Sequence, residues 1–236
     1  MADLARQPPS APTLNYSELT DVLLEFLEVA IHHILHARGL YPAELFEARQ
    51  KYSLPVRMSR HPALNAYIQD CLIGVRPDLE NGTLNKLHLS IYGPGGGVVE
   101  RFTFEVRSLL GDWDPIDRVG AQTSININDL ESHFAAFLIK LGTTALTRVE
   151  VNPPGCTFAL LAELHCATRP GADGTGARRP GAMDWIPGDA DDVSLRAGLG
   201  IVPIKTLDAG LLKIQVYVEE NAEKQGKRRV RFSESQ

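Results

Sequence analysis

The spacing of apolar residues changes part-way along this chain, and the change limits the folds that the chain can adopt. From about Glu18 to Ala37 the apolar residues share one helical face, with a cap expected near Ser17 and a stop at Gly39. A second helical pattern, with proline in its first turn, runs from Pro62 to about Val75. The first part of the chain is therefore predicted to be mainly helical.

A third helical pattern lies near the middle of the chain. Asn128 and Glu131 have the three-residue spacing of a capping box, and Gly142 is expected to end the helix that follows. Its apolar stripe consists of Leu130, Phe134, Phe137, Leu138 and Leu141. A shorter helix is expected from Pro42 through Arg49, because proline suits a first helical turn.

Apolar and polar residues alternate between the second and third helical patterns, which is the period of a β-strand. The alternation covers Lys86–Ile91 and, after the turn Gly93–Gly97, Phe102–Val106, and it predicts a β-hairpin. Further strands are predicted at Arg148–Val151, Thr157–Leu164, Ile201–Ile204 and Lys213–Val218. Because helices and strands do not alternate along the chain, we expect an α+β domain whose last third forms a separate layer.

The composition of the chain indicates how large its core can be and which segments are irregular. The chain has 236 residues, 44% of them hydrophobic, which suffices for one sizeable core or two small ones. Residues 1–14 are expected to form a disordered arm, and the glycine- and proline-rich segment 169–187 a mobile loop. No 18-residue apolar run is present. The three cysteines have no zinc-ligand spacing, and this cysteine usage favours a reducing compartment.

Charge is distributed unevenly along the chain. The formal net charge of -5 divides into -8 for residues 1–220 and +3 for residues 221–236. An acidic body of this kind does not favour a dedicated nucleic-acid-binding surface. The basic tail, residues 223–236, has the composition of an import signal, of a weak nucleic-acid contact or of a solvated terminus.

Candidate chemical sites are few. Glu28, His32 and His36 have a helical spacing that could hold zinc, but they lie opposite the apolar stripe, where a solvated polar face is the more ordinary interpretation. The glycine runs 93–97 and 171–176 lack the Gly-Lys-Ser/Thr ending of a phosphate-binding loop. An acidic stretch from Asp112 to Asp117 is expected to be an exposed loop. These patterns predict no enzyme.

Several short motifs, in order along the chain, resemble the HORMA-domain family. They are Phe26–Ala30, Tyr41–Phe46, Lys51–Tyr52 with Pro55–Val56, His61–Asp70, Asn152–Phe158, Pro203–Thr206 and Tyr217–Glu220. The last three resemble, within that family, the non-catalytic subunits of translesion DNA polymerase zeta. The resemblance covers about Asp21 to Ala222.

This resemblance implies a fold and a function. The family's fold is a three-helix layer on an antiparallel sheet, followed by a C-terminal safety belt that closes over a bound peptide. Here the domain would span residues 15–222, with a core of about 15–164 and a belt of about 165–222. The implied function is that of a nuclear, non-enzymatic adaptor in DNA damage tolerance, with a cytoplasmic pool left open, and with no cofactor, metal, membrane or direct nucleic-acid contact.

The resemblance also assigns roles to individual residues. Tyr67 and Trp185 match aromatic residues that grip a proline-containing peptide of the polymerase catalytic subunit. Ile201, Gln215 and Tyr217 match positions that contact the C-terminal domain of a second polymerase, the deoxycytidyl transferase. The pattern also allows other HORMA proteins as partners, but Ala135 stands where animal relatives carry an arginine used in dimerisation, which departs from the family pattern.

Two other functions remain open, one allowed by the same family resemblance and one by residue spacing. One is a spindle-checkpoint or meiotic-chromosome HORMA adaptor, which would seat a different peptide. The other is a metal-dependent hydrolase that would use Glu28, His32 and His36.

Overall fold

The computed structural model describes residues 13–110, 121–146, 155–165 and 200–220, and every structural statement below concerns these ranges. They contain three α-helices and nine β-strands. The helices are α1 (Tyr16–Ala37), α2 (Pro62–Glu80) and α3 (Ile127–Leu146). The strands are β1 (Thr13–Asn15), β2 (Phe46–Lys51), β3 (Leu54–Ser59), β4 (Leu84–Tyr92), β5 (Val98–Ser108), β6 (Gln122–Asn126), β7 (Thr157–Leu164), β8 (Gly200–Asp208) and β9 (Leu212–Glu220).

Five of these strands form one antiparallel sheet, in the order β7-β4-β5-β9-β8. Two small antiparallel ribbons, β1 with β6 and β2 with β3, complete the strand pairing of the described ranges. Together with the three helices, this confirms the predicted α+β class. The prediction that the last third forms a separate layer was wrong, because β8 and β9 join the same sheet as β4 and β5 through the pairing of β9 with β5. None of the described helices combines the length and apolar character needed to cross a bilayer.

The core lies between the helices and one face of the sheet. Phe102 and Phe104 of β5 are buried there, as are Val216 and Val218 of β9. On the helical side, the Phe26 ring of α1 stacks on Phe134 of α3 with a centroid distance of 4.3 Å. Helix α1 therefore packs among the other elements as the central helix of the layer.

An ion pair is buried at one end of this core. Arg38, at the end of α1, donates from Nε to Glu100 of β5 at 2.7 Å and from a terminal nitrogen to the Ala145 carbonyl of α3 at 2.8 Å. The Arg38 and Glu100 side chains are each 2% exposed. The pair thus ties the ends of two helices to the sheet.

The helix boundaries differ from the predicted ones at their caps. Helix α1 is capped by Asn15 rather than Ser17, and Asn15 and Glu18 form the reciprocal hydrogen bonds of a capping box. In α3 the cap is Asn126, whose side chain accepts from the Asp129 amide at 2.9 Å, rather than Asn128. At the start of each helix, two residues that can act as an N-cap lie two positions apart. The apolar spacing does not show which of them caps the helix.

The prediction that Gly142 ends α3 was wrong, because the helix continues to Leu146. A Cβ at Gly142 would lie 2.8 Å from Nε2 of His33 on α1. The glycine therefore permits a close approach of α3 to α1 and does not act as a stop signal.

The predicted helix from Pro42 to Arg49 was also wrong. A short 3₁₀ turn, Ala43–Leu45, leads into β2, which pairs with β3 around a two-residue turn at Tyr52 and Ser53. Both turn residues have positive φ, +50° and +58°. The hairpin was missed because neither residue is the glycine or asparagine that usually marks such a turn.

Other predicted boundaries were too short. Helix α2 runs past Val75 to Glu80, with Pro77 inside its last turn. Thr13 and Leu14, expected in the disordered arm, belong to β1, which pairs with β6. The predicted strand Thr157–Leu164 is confirmed, whereas Arg148–Val151 lies outside the described residues.

Three further predicted segments also lie outside the described residues. They are the acidic stretch from Asp112 to Asp117, the glycine run 171–176 and the loop 169–187.

Candidate functional site

The two edges of the five-stranded sheet differ in how they are protected. Strand β8 carries Pro203 and Lys205, with an irregular register between them, and these are features that discourage pairing with another strand. Strand β7 is eight residues long, contains neither proline nor lysine, and pairs only with β4 in the described part of the chain. The β7 edge is therefore the more suitable acceptor for an added strand.

Aromatic side chains stand beside this edge. The Phe158 ring of β7 contacts Tyr67 of α2 edge-on, with centroids 5.7 Å apart, and Tyr41 in the same way at 6.3 Å. We call Tyr41, Tyr67 and Phe158 the aromatic cluster. All three residues are half-buried, so each keeps part of its surface accessible at the β7 edge.

Tyr67 has a polar connection to β7 as well. Its hydroxyl oxygen accepts a hydrogen bond from the Leu160 amide at 3.3 Å, and its hydroxyl also shares a hydrogen bond with Cys71, one helical turn further on. Burial raises the pKa of Tyr67 and that of the Cys71 thiol. Both groups are therefore neutral near pH 7.

The start of β7 is set by a glycine. Gly155 has φ +97°, a region that other residues rarely adopt, and it packs against Pro94 in the turn between β4 and β5. This contact places the Pro94 turn beside the beginning of β7, so the family-like motif around Gly155 has a local physical function.

Ile201, Gln215 and Tyr217 lie on one face of the sheet. Gln215 and Tyr217 alternate with the buried Ile214, Val216 and Val218 on β9, and Ile201 is opposite Glu219 on the same side. Ile201 is 62% exposed. We call Ile201, Gln215 and Tyr217 the outer patch.

Tyr217 is surrounded by acidic groups. Burial, and then the charges of Glu219 and Glu105, raise the pKa of its hydroxyl to about 12. Thr103, which is opposite Tyr217 on β5, donates to Glu219 at 3.4 Å. The outer patch therefore combines an exposed aliphatic side chain with a neutral phenol in an acidic setting.

A polar network extends from the outer patch across the same face of the sheet towards β7. The sequence patterns did not predict it. His88 Nδ1 lies 2.9 Å from the Thr103 hydroxyl, and Glu163 of β7 pairs with Lys86 at 3.2 Å. Burial, and then the charge of Arg101, lower the pKa of His88 to about 4. The alternation had placed His88 on this face, but it carried no signal that the side chain would be buried.

The other predicted site residues are placed as follows. Ala135 is half-buried on α3 and packs against the core. Trp185 lies outside the described residues. Tyr67 lies on α2 beside β7, and Tyr217 lies on β9. Strands β4 and β5 separate β7 from β9. Strands β7 and β9 are therefore about 14 Å apart, at roughly 4.8 Å per strand.

The interpretation of Glu28, His32 and His36 as a solvated face was wrong at His32. This side chain is 1% exposed, and its burial lowers the pKa of the imidazole to about 4. The polar face of α1 is covered here because α1 is the central helix. Within the described ranges, no three His, Cys, Asp or Glu side chains come together in a way that could hold a metal ion.

Comparison with known proteins gives consistent matches. The family model for the HORMA domain matches residues 20–126. The human "Mitotic spindle assembly checkpoint protein MAD2B" is 37% identical over 225 residues, covering 95% of this chain and 99% of the relative. The "DNA polymerase zeta processivity subunit" of Schizosaccharomyces pombe is 30% identical, covering 85% and 92%, and that of Arabidopsis thaliana is 28% identical, covering 86% of each.

Solved structures share the fold at low sequence identity. A chain of the mitotic checkpoint complex superposes with a TM-score of 0.67 at 22% identity, covering 86% of this chain and 98% of that one. C. elegans HTP-2 bound to the HIM-3 closure motif also gives 0.67, at 13% identity and with coverage of 93% and 98%.

Proposed function

The chain belongs to the HORMA-domain family, and we propose that it is the non-catalytic adaptor subunit of a translesion DNA polymerase zeta. In this role it captures a proline-containing peptide of the catalytic subunit beneath the belt, residues 165–222, and presents the outer patch to the deoxycytidyl transferase. A processivity subunit is an accessory component, and two relatives bear that name. The proposed location is the nucleus, with the basic tail as an import signal.

The β7 edge, which has no strand partner other than β4 within the described residues, carries this proposal. An extended peptide can pair its backbone with such an edge, and main-chain hydrogen bonds then supply affinity without requiring a particular sequence. Several apolar residues of β7, among them Phe158, Leu161 and Leu164, are half-buried and offer the added strand an apolar border. HTP-2, which shares the fold, is bound to a closure motif.

The aromatic cluster supports proline as the preferred side chain. A proline ring is flat, apolar and already restricted in φ, so it loses little conformational entropy when it packs on an aromatic face. Tyr67 and Phe158 stand at the edge where such a ring would arrive. The resemblance assigns the same proline-gripping role to Trp185, which lies outside the described residues.

The outer patch supports a second, separate partner. Its residues come from β8 and β9, which β4 and β5 separate from β7, and they face away from the helices. A bound peptide at β7 therefore leaves the patch accessible. The adaptor can bridge two polymerases because the two contacts do not compete for surface.

Aromatic-to-alanine variants of the two surfaces test the proposal with matched chemistry. We expect Tyr67→Ala and Trp185→Ala to weaken capture of the catalytic-subunit peptide by roughly 30-fold, the loss expected of an aromatic hot spot. Tyr217→Ala removes the same kind of ring from the outer patch, so it should spare the peptide and weaken the transferase C-terminal domain. Fluorescence anisotropy with labelled peptide and with labelled domain measures both.

The same measurements separate the rival adaptor. Undiminished peptide binding by Tyr67→Ala and Trp185→Ala would contradict the site. A checkpoint or meiotic adaptor would bind the polymerase peptide no better than a shuffled version of it, and would bind a checkpoint or meiotic peptide instead.

A further inference from the structure

The hydroxyl of Tyr67 occupies an amide of the strand that the peptide is proposed to join. Leu160 lies in the middle of β7, opposite Leu89 of β4, and its side chain is 4% exposed on the helical side of the sheet. Its amide donates to the Tyr67 hydroxyl oxygen at 3.3 Å. A side chain of α2 thus takes a backbone donor from the open edge of the sheet.

The geometry of an antiparallel edge strand determines which residues of β7 can hydrogen-bond to an added strand. Every second residue directs its N–H and C=O away from the neighbouring strand. Since the Leu160 amide is used by Tyr67, the outward-facing residues of β7 are those that share its alternation, namely Phe158, Leu160, Ala162 and Leu164. A continuous added strand would need to place a carbonyl opposite each of these amides.

From this we infer that the Tyr67 hydroxyl is a specificity determinant that interrupts strand addition at Leu160 and so fixes where the proline of the peptide lies. The inference rests on the proposed peptide capture. The Tyr67 oxygen stands where a peptide carbonyl would otherwise bind, so the peptide leaves the edge at this point. A proline fits there because it has no N–H to contribute to a ladder, and its ring packs on the Tyr67 ring.

The Tyr67 side chain is held in place for this role. The Phe158 ring meets it at an interplanar angle of 79°, which restrains the ring, and the hydrogen bond with Cys71 restrains the hydroxyl. Cys71 is four residues further along α2, the spacing at which helical side chains are neighbours. The hydroxyl is therefore a fixed polar group and not one that swings freely.

Tyr67→Phe tests this inference because it removes only the hydroxyl. The probes are the catalytic-subunit peptide and versions in which its proline is moved by two residues in either direction. We expect wild type to prefer the natural position, and Tyr67→Phe to reduce that preference by roughly three- to tenfold, the range that one net hydrogen bond provides. The reduction arises because the shifted peptides can now pair with the Leu160 amide.

Tyr41→Phe is the matched control. It removes the hydroxyl of the other tyrosine that contacts Phe158, and the hydrogen bond to Leu160 is unchanged. Hydrogen exchange of the Leu160 amide in the free protein should accelerate in Tyr67→Phe and not in Tyr41→Phe.

The possible outcomes distinguish the two proposals. If wild type and Tyr67→Phe capture the peptide with the same positional preference, the inference is wrong and the capture stands. If wild type captures none of the peptides, the proposed function fails and the inference fails with it.

Discussion

At the scale of single residues, close packing and backbone conformation restrict which residue types fit at Gly142 and at the Tyr52–Ser53 turn. Gly142 does not end α3. Because it has no Cβ, it leaves room for the His33 ring of α1. Tyr52 and Ser53 both adopt positive φ, and their residue types do not predict it. Backbone conformation at such positions is imposed by the surrounding packing, which no local pattern contains.

Ser53→Asn should stabilise the protein. Lys51 pairs with Leu54, so Tyr52 and Ser53 form a two-residue hairpin turn, and asparagine tolerates the left-handed region better than serine does. We expect a gain of roughly 0.5–1 kcal/mol in the free energy of unfolding. Urea unfolding measures it as a higher midpoint with an unchanged slope.

Ser132→Asn, at an exposed position inside α3, serves as the control for this substitution. Its backbone is helical, so it should give no gain. An equal gain at both positions would mean that turn conformation is not the cause.

At the scale of elements, periodicity predicted the type of each long segment and left the short ones undetermined. The three helices and the strands of the main sheet follow from their apolar spacing, which reports on burial over several turns or residues. Strands β1, β2, β3 and β6 have three to six residues and little alternation, so they depend on partners distant in the chain. The same limit applies to the candidate site, because sequence placed Tyr67 on a helix and could not place its hydroxyl on Leu160.

The elements are joined at the Arg38–Glu100 ion pair, and each single truncation should be costly. Arg38→Met or Glu100→Leu leaves one charge buried without its main partner, and we expect a loss of about 3–5 kcal/mol for either one. The double variant Arg38→Met with Glu100→Leu should lose much less than the sum. A double-mutant cycle in urea measures the coupling between the two side chains.

The exposed pair of Arg76 with Asp21 provides the comparison. These side chains are 39% and 55% exposed, so breaking the pair should cost less than about 1 kcal/mol. If the losses at Arg38 and Glu100 simply add, the pair does not act as a unit that holds α1 and α3 to the sheet.

At the scale of the whole molecule, the acidic body and the separation of the two proposed surfaces fit a protein whose partners are other proteins. The outer patch is bordered by Glu105 and Glu219, which favours a partner surface with positive charge. The β7 edge, by contrast, is apolar over most of its length. Two surfaces of different chemistry on one sheet allow two partners to be held at once.

Buried imidazoles should make the whole fold sensitive to acid. Burial lowers the pKa of His32 and of His88 from 6.5 to about 4, and it also lowers the pKa of His33. Below pH 6.5 the unfolded chain binds protons that the folded chain does not, so the unfolded state gains stability as the pH falls. The loss of folding stability begins near pH 6.5 and is complete near pH 4, reaching on the order of 3 kcal/mol for each of His32 and His88.

Urea unfolding at a series of pH values measures this effect, and two variants assign it. His32→Leu and His88→Val remove one titrating group each, so each should flatten the decline between pH 6.5 and 4 while leaving the curve above pH 7 parallel to that of wild type. Each replacement places an apolar side chain in a buried site, which keeps most of the packing. An unchanged decline in both variants would show that these imidazoles are charged in the folded protein and that acid acts elsewhere.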